Sequence, residues 1–99
     1  MNVTYKLQGI QFEWDEDKAQ SNIEKHNVTF EGAAEVFFDP FYQTGDASKD
    51  DKEERDFIIG YTFSQRLLLA VYTERKDKTR IISARATTRA ERKKYEEAN

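Results

Sequence analysis

The two arginines best suited to bind an anion lie in the last third of this chain. Arg80 and Arg85 flank an apolar run in Arg80-Ile-Ile-Ser-Ala-Arg85, which reads as a strand. Side chains alternate across a strand. Arg80 is therefore expected on the face of Ile82 and Ala84, and Arg85 on the face of Ile81 and Ser83. An arginine in a core strand, or at its end, needs an anionic partner. Two readings follow. One is an ion pair with one of the chain's many carboxylates. The other is a phosphate site held on a rigid sheet, because guanidinium offers phosphate oxygens a planar fork. Groups that could move a proton are few. His26 is the one histidine and titrates near neutrality unperturbed; its plain reading is a helix-end residue. Tyr72 is another, with sheet packing as its plain reading. Glu54 beside Arg55 suits a base or an ion pair at a strand start. Tyr95 suits core packing or a stacking surface. Lys93 and Lys94 suit a solvated helix face or contacts to a polyanion.

The elements that must position these groups follow from pattern. Ile10-Gln-Phe-Glu-Trp14 alternates with period two, a strand with Ile10, Phe12 and Trp14 inward. Asp15 then caps a helix predicted over 16–26. Glu16 and Asp17 sit at its positive end, and Lys25 and His26 at its negative end. Ala19, Ile23 and His26 share one face of it, and Asn27 suits the left-handed closing position. Thr29 caps a second helix over 30–37, with Phe30, Ala33, Ala34 and Phe37 inward; Asp39-Pro40 ends it. A strand at 41–44 precedes a solvated loop at 45–54. Strands at 55–63, 66–73 and 79–86 follow, joined by a turn at Ser64-Gln65 and a longer polar one at 74–78. The run at 67–71 is apolar at every position, so it should be covered on both faces. Gly60 within a strand hints at a bulge. Thr88-Arg-Ala-Glu91 is a capping box that opens a C-terminal helix, with Ala90 and Tyr95 as its larger contacts. The predicted class is α+β: an N-terminal strand, two helices, an antiparallel sheet of three to four strands and a C-terminal helix.

Composition narrows the function classes. At 99 residues, one domain is expected over 1–99. Seven Phe, five Tyr and one Trp supply a core despite the high charge. The absence of cysteine excludes disulfides and zinc–thiolate sites and suits a reducing cytosol. One histidine excludes a His-rich metal site. No apolar run approaches the ~20 residues of a membrane helix, and the N-terminus lacks a hydrophobic signal core. Net charge is −3, but unevenly spread: residues 1–64 carry 6 Lys/Arg against 14 Asp/Glu, and residues 65–99 carry 10 against 5. The C-terminal third can face a polyanion, or the two parts can neutralise one another across the fold.

The ordered motifs resemble those of the BrnT toxins of bacterial type II toxin–antitoxin systems, over Phe12 to Tyr95. The resemblance rests on Phe12-Glu-Trp-Asp15, Lys18, Asn22 and Lys25-His26-Asn-Val-Thr-Phe30. It continues through Glu31, Ala33-Ala34, Val36-Phe37 and Asp39-Pro40, then Glu54-Arg55 and Gly60. The last block is Tyr72-Thr-Glu-Arg75, Arg80-Ile-Ile-Ser-Ala-Arg85, Ala86-Thr87, Glu91-Arg92 and Tyr95. One departure stands out: many members look to have His-Thr before the arginine that matches Arg75, and Tyr72 holds that histidine's place here.

The resemblance implies a RelE-like fold and a small cytoplasmic ribonuclease that slows translation. It implies neutralisation by a BrnA-type ribbon-helix-helix antitoxin, with two toxins and two antitoxins in the complex. DNA would be met only through that antitoxin. RNA cleavage without metal uses the ribose 2′-hydroxyl as nucleophile. It needs a base for that proton, cations on the phosphate oxygens, and an acid for the leaving oxygen. Arg80 and Arg85 are the expected charge stabilisers, and His26 and Tyr72 the proton-transfer candidates. Arg75, Arg55 and Lys25 are the expected substrate-binding cations. No metal or cofactor is expected. The alternative is an inactive module that still binds its antitoxin and helps repress a promoter.

Overall fold

A computed structural model describes residues 1–49 and 53–98. Ten short elements follow one another: β1 (Asn2–Leu7), β2 (Ile10–Asp15), α1 (Glu16–His26), α2 (Phe30–Glu35), a 3₁₀ turn (Val36–Phe38), β3 (Gln43–Asp46), β4 (Asp56–Tyr61), β5 (Leu67–Arg75), β6 (Lys78–Ala86) and α3 (Arg89–Glu97). The class is α+β as expected, but the sheet is larger than expected. Six strands form one mixed sheet in the order β1-β2-β6-β5-β4-β3. Neighbours are antiparallel except β2 and β6, which run parallel and pair at Phe12–Thr79 and Glu13–Arg80.

The N-terminal strand read from the sequence is the second arm of a hairpin. β1 pairs with it from Asn2–Asp15 to Leu7–Ile10. Gln8 (φ 48°) and Gly9 (φ 85°) make the two-residue turn, both in the left-handed region that such a turn demands. Phe12 and Trp14 point inward as expected, at 0% and 2% exposure. Ile10 does not: it sits at the hairpin end, 46% exposed.

The helix caps follow the sequence closely. Asp15 accepts from the Lys18 N–H at 3.0 Å, and Asn27 closes α1 in the left-handed region. Thr29 caps α2, which tightens into the 3₁₀ turn rather than running to Phe37 as one helix. Within α1 Ala19 packs against the core as expected and Asn22 is the buried residue, whereas Ile23 and His26 are both exposed. The Asn22 carboxamide is 5% exposed and fully used. Its Nδ2 donates to the carbonyls of Val28 (2.9 Å) and Ala84 (2.8 Å), and its Oδ1 accepts from the Ala84 N–H (3.1 Å). A side chain thus pairs with β6 as another strand would.

Two apolar layers cover the sheet. On one face α1 and α2 close over Phe12, Trp14, Ile58, Leu68, Ala70 and Ile81. On the other, Tyr95 of α3 packs with Ile59, Leu67 and Leu69. The β5 run 67–70 is buried throughout because successive residues enter both layers. The expected bulge at Gly60 is absent. Gly60 instead permits close approach: a Cβ there would lie 2.9 Å from the Val36 carbonyl oxygen. The register shift falls between β5 and β6, where Val71 faces Ser83 and Tyr72 faces Ile81, leaving Ile82 as the extra residue. The β5–β6 turn is shorter than expected, since Arg75 and Lys78 already pair. β3 lies at Gln43–Asp46 rather than 41–44, taking two residues of the expected loop. Residues 50–52 of that loop lie outside the described residues.

Asn22→Ala would strip three buried backbone groups of their partner. At about 1–3 kcal/mol for each buried unsatisfied group, less what solvent recovers, the expected loss is roughly 2–4 kcal/mol in urea unfolding. A loss below about 1 kcal/mol would show that α1 docks on β6 without this amide.

Candidate functional site

The bulge changes the arginine geometry. Five regular steps would put Arg80 and Arg85 on opposite faces. The extra residue restores the phase: Arg80 pairs with Thr73 and Arg85 with Leu69, alternate residues on one side of β5. Both arginines therefore lie on the α3 face of the sheet. Their Cα atoms are roughly 13–16 Å apart at about 3.3 Å per residue, a span that suits two phosphates along a strand better than one shared phosphate.

Arg80 is held at the edge of this face. Its guanidinium lies 3.5 Å from Glu13 and donates to Asn2 Oδ1 at 3.2 Å. Arg85 lies beside α3 in a cleft of about 400 Å³, floored by Phe57, Ile59, Leu69 and Val71, with Glu91 and Lys94 on its wall. Arg85 Nη1 and Nη2 donate to Glu91 Oε1 and Oε2 at 2.8 and 3.0 Å. Glu91 also accepts from the Thr88 N–H at 2.9 Å, completing the capping box. The Arg85 hydrogen bonds, helped by that N–H, hold the Glu91 carboxyl at about 2 against an ordinary 4.5, despite partial burial. The same pairing raises Arg85 above its ordinary value.

The other expected groups do not join this cleft. The Tyr72 ring belongs to the opposite layer, 8% exposed and edge-on to Phe37 at 5.0 Å. Burial, with Asp56 and Glu74 nearby, pushes its hydroxyl up. His26 and Lys25 line a separate, smaller hollow between α1 and β6, with Lys18, Ile82 and Ser83. Arg75 makes an exposed ion pair with Glu53 at 2.8 Å. Arg55 begins the approach to β4, and its Nε is buried with no hydrogen-bond partner among the described residues. Glu54 offers its backbone carbonyl to Thr73 Oγ1 at 2.9 Å. A larger hollow of about 600 Å³, walled by Phe38, Phe41, Tyr61, Phe63 and Tyr95, contains none of the expected catalytic groups.

Tyr95 is core, 5% exposed, and its hydroxyl donates to Asp39 Oδ2 at 2.5 Å. Asp39 accepts as well from the N–H groups of Phe41 and Tyr61, both at 2.8 Å. Burial opposes its charge, but these three donors outweigh that and keep its carboxyl below the usual value. The same contact, together with burial, drives the Tyr95 hydroxyl upward. Asp39 thus ties the 3₁₀ turn, β4 and α3 together. The sequence marked Glu91 as a cap but not as the partner of Arg85; the six-residue gap across Thr87-Thr88 was the available signal. Among the described residues, no group of three or more His, Asp or Glu is placed to hold a metal ion. No helix of the described residues is long and apolar enough to cross a membrane.

The Glu91–Arg85 pair should show in acid. Glu91 is held below its ordinary value, so its contribution is complete above about 4.5 and is lost as pH falls towards 2. Glu91→Gln should therefore melt below the parent at neutral pH, with the gap closing between pH 4.5 and 2. A gap that stays constant over that window would mean the pair adds nothing to stability.

The comparisons with known proteins agree with this architecture. A family model described as the ribonuclease toxin BrnT of type II toxin–antitoxin systems matches residues 14–91. No curated protein matches the sequence. The crystal structure of the Brucella abortus ribonuclease toxin BrnT, at 1.1 Å resolution, is similar at 20% identity. The match covers 77% of this chain and 94% of that one, with a TM-score of 0.56. At that identity the likeness speaks for the fold. The family model spans most of the sheet, both N-terminal helices and the Arg80–Arg85 strand, and the chain belongs to the BrnT family of type II ribonuclease toxins.

Proposed function

We propose that this protein is a metal-independent endoribonuclease that slows translation in the cytoplasm. A BrnA-like ribbon-helix-helix antitoxin neutralises it, in a complex of two toxins and two antitoxins built on a RelE-like toxin fold. The observation that carries the catalytic part is the bulge at Ile82, which brings Arg80 and Arg85 onto one sheet face. In this reading the ribose 2′-hydroxyl passes its proton to water as its oxygen bonds to the adjacent phosphorus, and the bond from phosphorus to the 5′-oxygen breaks as that oxygen takes a proton from water. The products are a 2′,3′-cyclic phosphate and a 5′-hydroxyl. Arg85 stabilises charge on the phosphorane oxygens. Arg80 holds a neighbouring phosphate, and Arg75 and Arg55 extend the cationic track along β4 and β5. Lys94 adds charge at the cleft wall. His26 and Lys25 lie apart from this track, in the hollow between α1 and β6.

A second reading is favoured by two observations. Tyr72, at the place of the family's histidine, is buried beneath Phe37, and the Arg85 fork is already filled by Glu91. On that reading the chain binds its antitoxin and co-represses a promoter without cutting RNA.

Cleavage of a purified single-stranded RNA in excess EDTA separates the two. The parent should cut, and Arg85→Ala should lose about 10²-fold or more in rate, as for loss of a group that stabilises transition-state charge. Circular dichroism checks that the variant folds. Equal cutting by both proteins would remove Arg85 from the mechanism. No cutting by the parent, with tight binding of a ribbon-helix-helix partner, would establish the second reading.

A further inference from the structure

Arg85 presents a fork suited to an anion, and an anion of the protein's own occupies it. The two Glu91 oxygens sit 2.8 and 3.0 Å from Nη1 and Nη2. Those are the positions that two non-bridging phosphate oxygens would take. The helix that carries Glu91 is anchored at Tyr95, whose hydroxyl donates to Asp39, so its docking does not depend on the Glu91–Arg85 pair. That ring is the helix's one buried side chain, one turn beyond Glu91 and on the same side of α3. Other ties to the sheet are Gln43 Nε2 to the Tyr95 carbonyl and Arg92 to the Tyr61 hydroxyl, both at 3.2 Å. The helix start does not depend on Arg85, because Thr88 Oγ1 accepts from the Glu91 N–H at 3.1 Å whatever the carboxylate does. One turn further on, Lys94 lines the same cleft, with no ion-pair partner among the described residues.

We propose that this cleft is a phosphodiester site plugged by Glu91. A substrate phosphate displaces the Glu91 carboxylate from the Arg85 fork, and Lys94 then supplies the second cation. The identity of the anion rests on the ribonuclease reading above. Glu91 is on this account a competitor of the substrate and not a catalytic residue. That fixes the sign of its effect: a base or a structural clamp loses binding or rate when removed, whereas a plug gives tighter binding.

The test is fluorescence anisotropy at low salt with a short labelled 2′-O-methyl oligoribonucleotide, which binds but lacks the nucleophile. If the fork is open about one-tenth of the time in the parent, Glu91→Gln binds about tenfold tighter. Glu91→Asp keeps the charge and a capping acceptor while withdrawing from the fork, and it too binds tighter. Glu96→Gln makes the same charge change on an exposed part of the same helix and stays within about twofold of the parent. Lys94→Ala in the Glu91→Gln background loses most of the gain. Melting curves confirm that each variant folds. Glu91→Gln binding no tighter than Glu96→Gln overturns the plug, and so does any weakening. Failure of every protein to bind, the parent included, overturns the ribonuclease reading along with it.

Discussion

The fold turns on one carboxamide. β2 runs parallel to β6 only as far as the Glu13–Arg80 pair before the chain turns into α1. Beyond that point, β6 would offer unpaired peptide groups to the helix layer. Asn22 meets this need with a donor and an acceptor to Ala84 and a second donor bond to Val28. An amide is the one side-chain type that copies both halves of a peptide group, so neither Asp nor Leu could replace it. The amide sets the position of α1, the start of the loop to α2, and the path of β6 just past its bulge.

The bulge carries that local arrangement to the surface. Ile81 and Ala84 remain in the helix-covered core while Arg80 and Arg85 emerge together on the other side. A regular strand could keep both apolar residues inside only by breaking the alternation elsewhere. The sheet therefore has two unlike faces. One is closed by α1 and α2 around aromatic edge contacts such as Trp14–Phe30 at 5.8 Å. The other is only partly covered by α3 and carries the cations. Asp39 links them, since it anchors Tyr95 of α3 from the end of the 3₁₀ turn that packs on the first face.

Local signals in the sequence were readable where the physics is local. The caps at Asp15, Thr29 and Thr88, the left-handed Asn27 and the doubly buried β5 run all depend on a few adjacent residues. Tertiary features were not readable in that way. β1 does alternate, with Val3, Tyr5 and Leu7 turned to the core and Asn2, Thr4 and Lys6 outward, but its apolar side is only partly buried at the sheet edge, and its pairing with β2 depends on the Gln8-Gly9 turn. Asn22 reads as a polar helix residue until β6 is placed beside it. The bulge has no marker in Ile-Ile-Ser-Ala, and without it the two arginines read as facing apart. The expected site was accordingly legible in its parts and not in its grouping. Arg80 and Arg85 share a face, while His26, Lys25 and Tyr72 open elsewhere.

The central claim is that Arg80 and Arg85 engage one RNA strand from one face of the sheet. The most direct measurement is arginine side-chain NMR: following the Nε–Hε resonances of both residues during titration with a non-cleavable 2′-O-methyl oligoribonucleotide. Arg80→Lys and Arg85→Lys supply the assignments. The account predicts that both resonances shift along a single saturation curve while the backbone amides of α1 stay still. Shifts confined to Lys18, Lys25 and His26 on α1, with both arginines unmoved, would contradict it and place the RNA on the other side of β6.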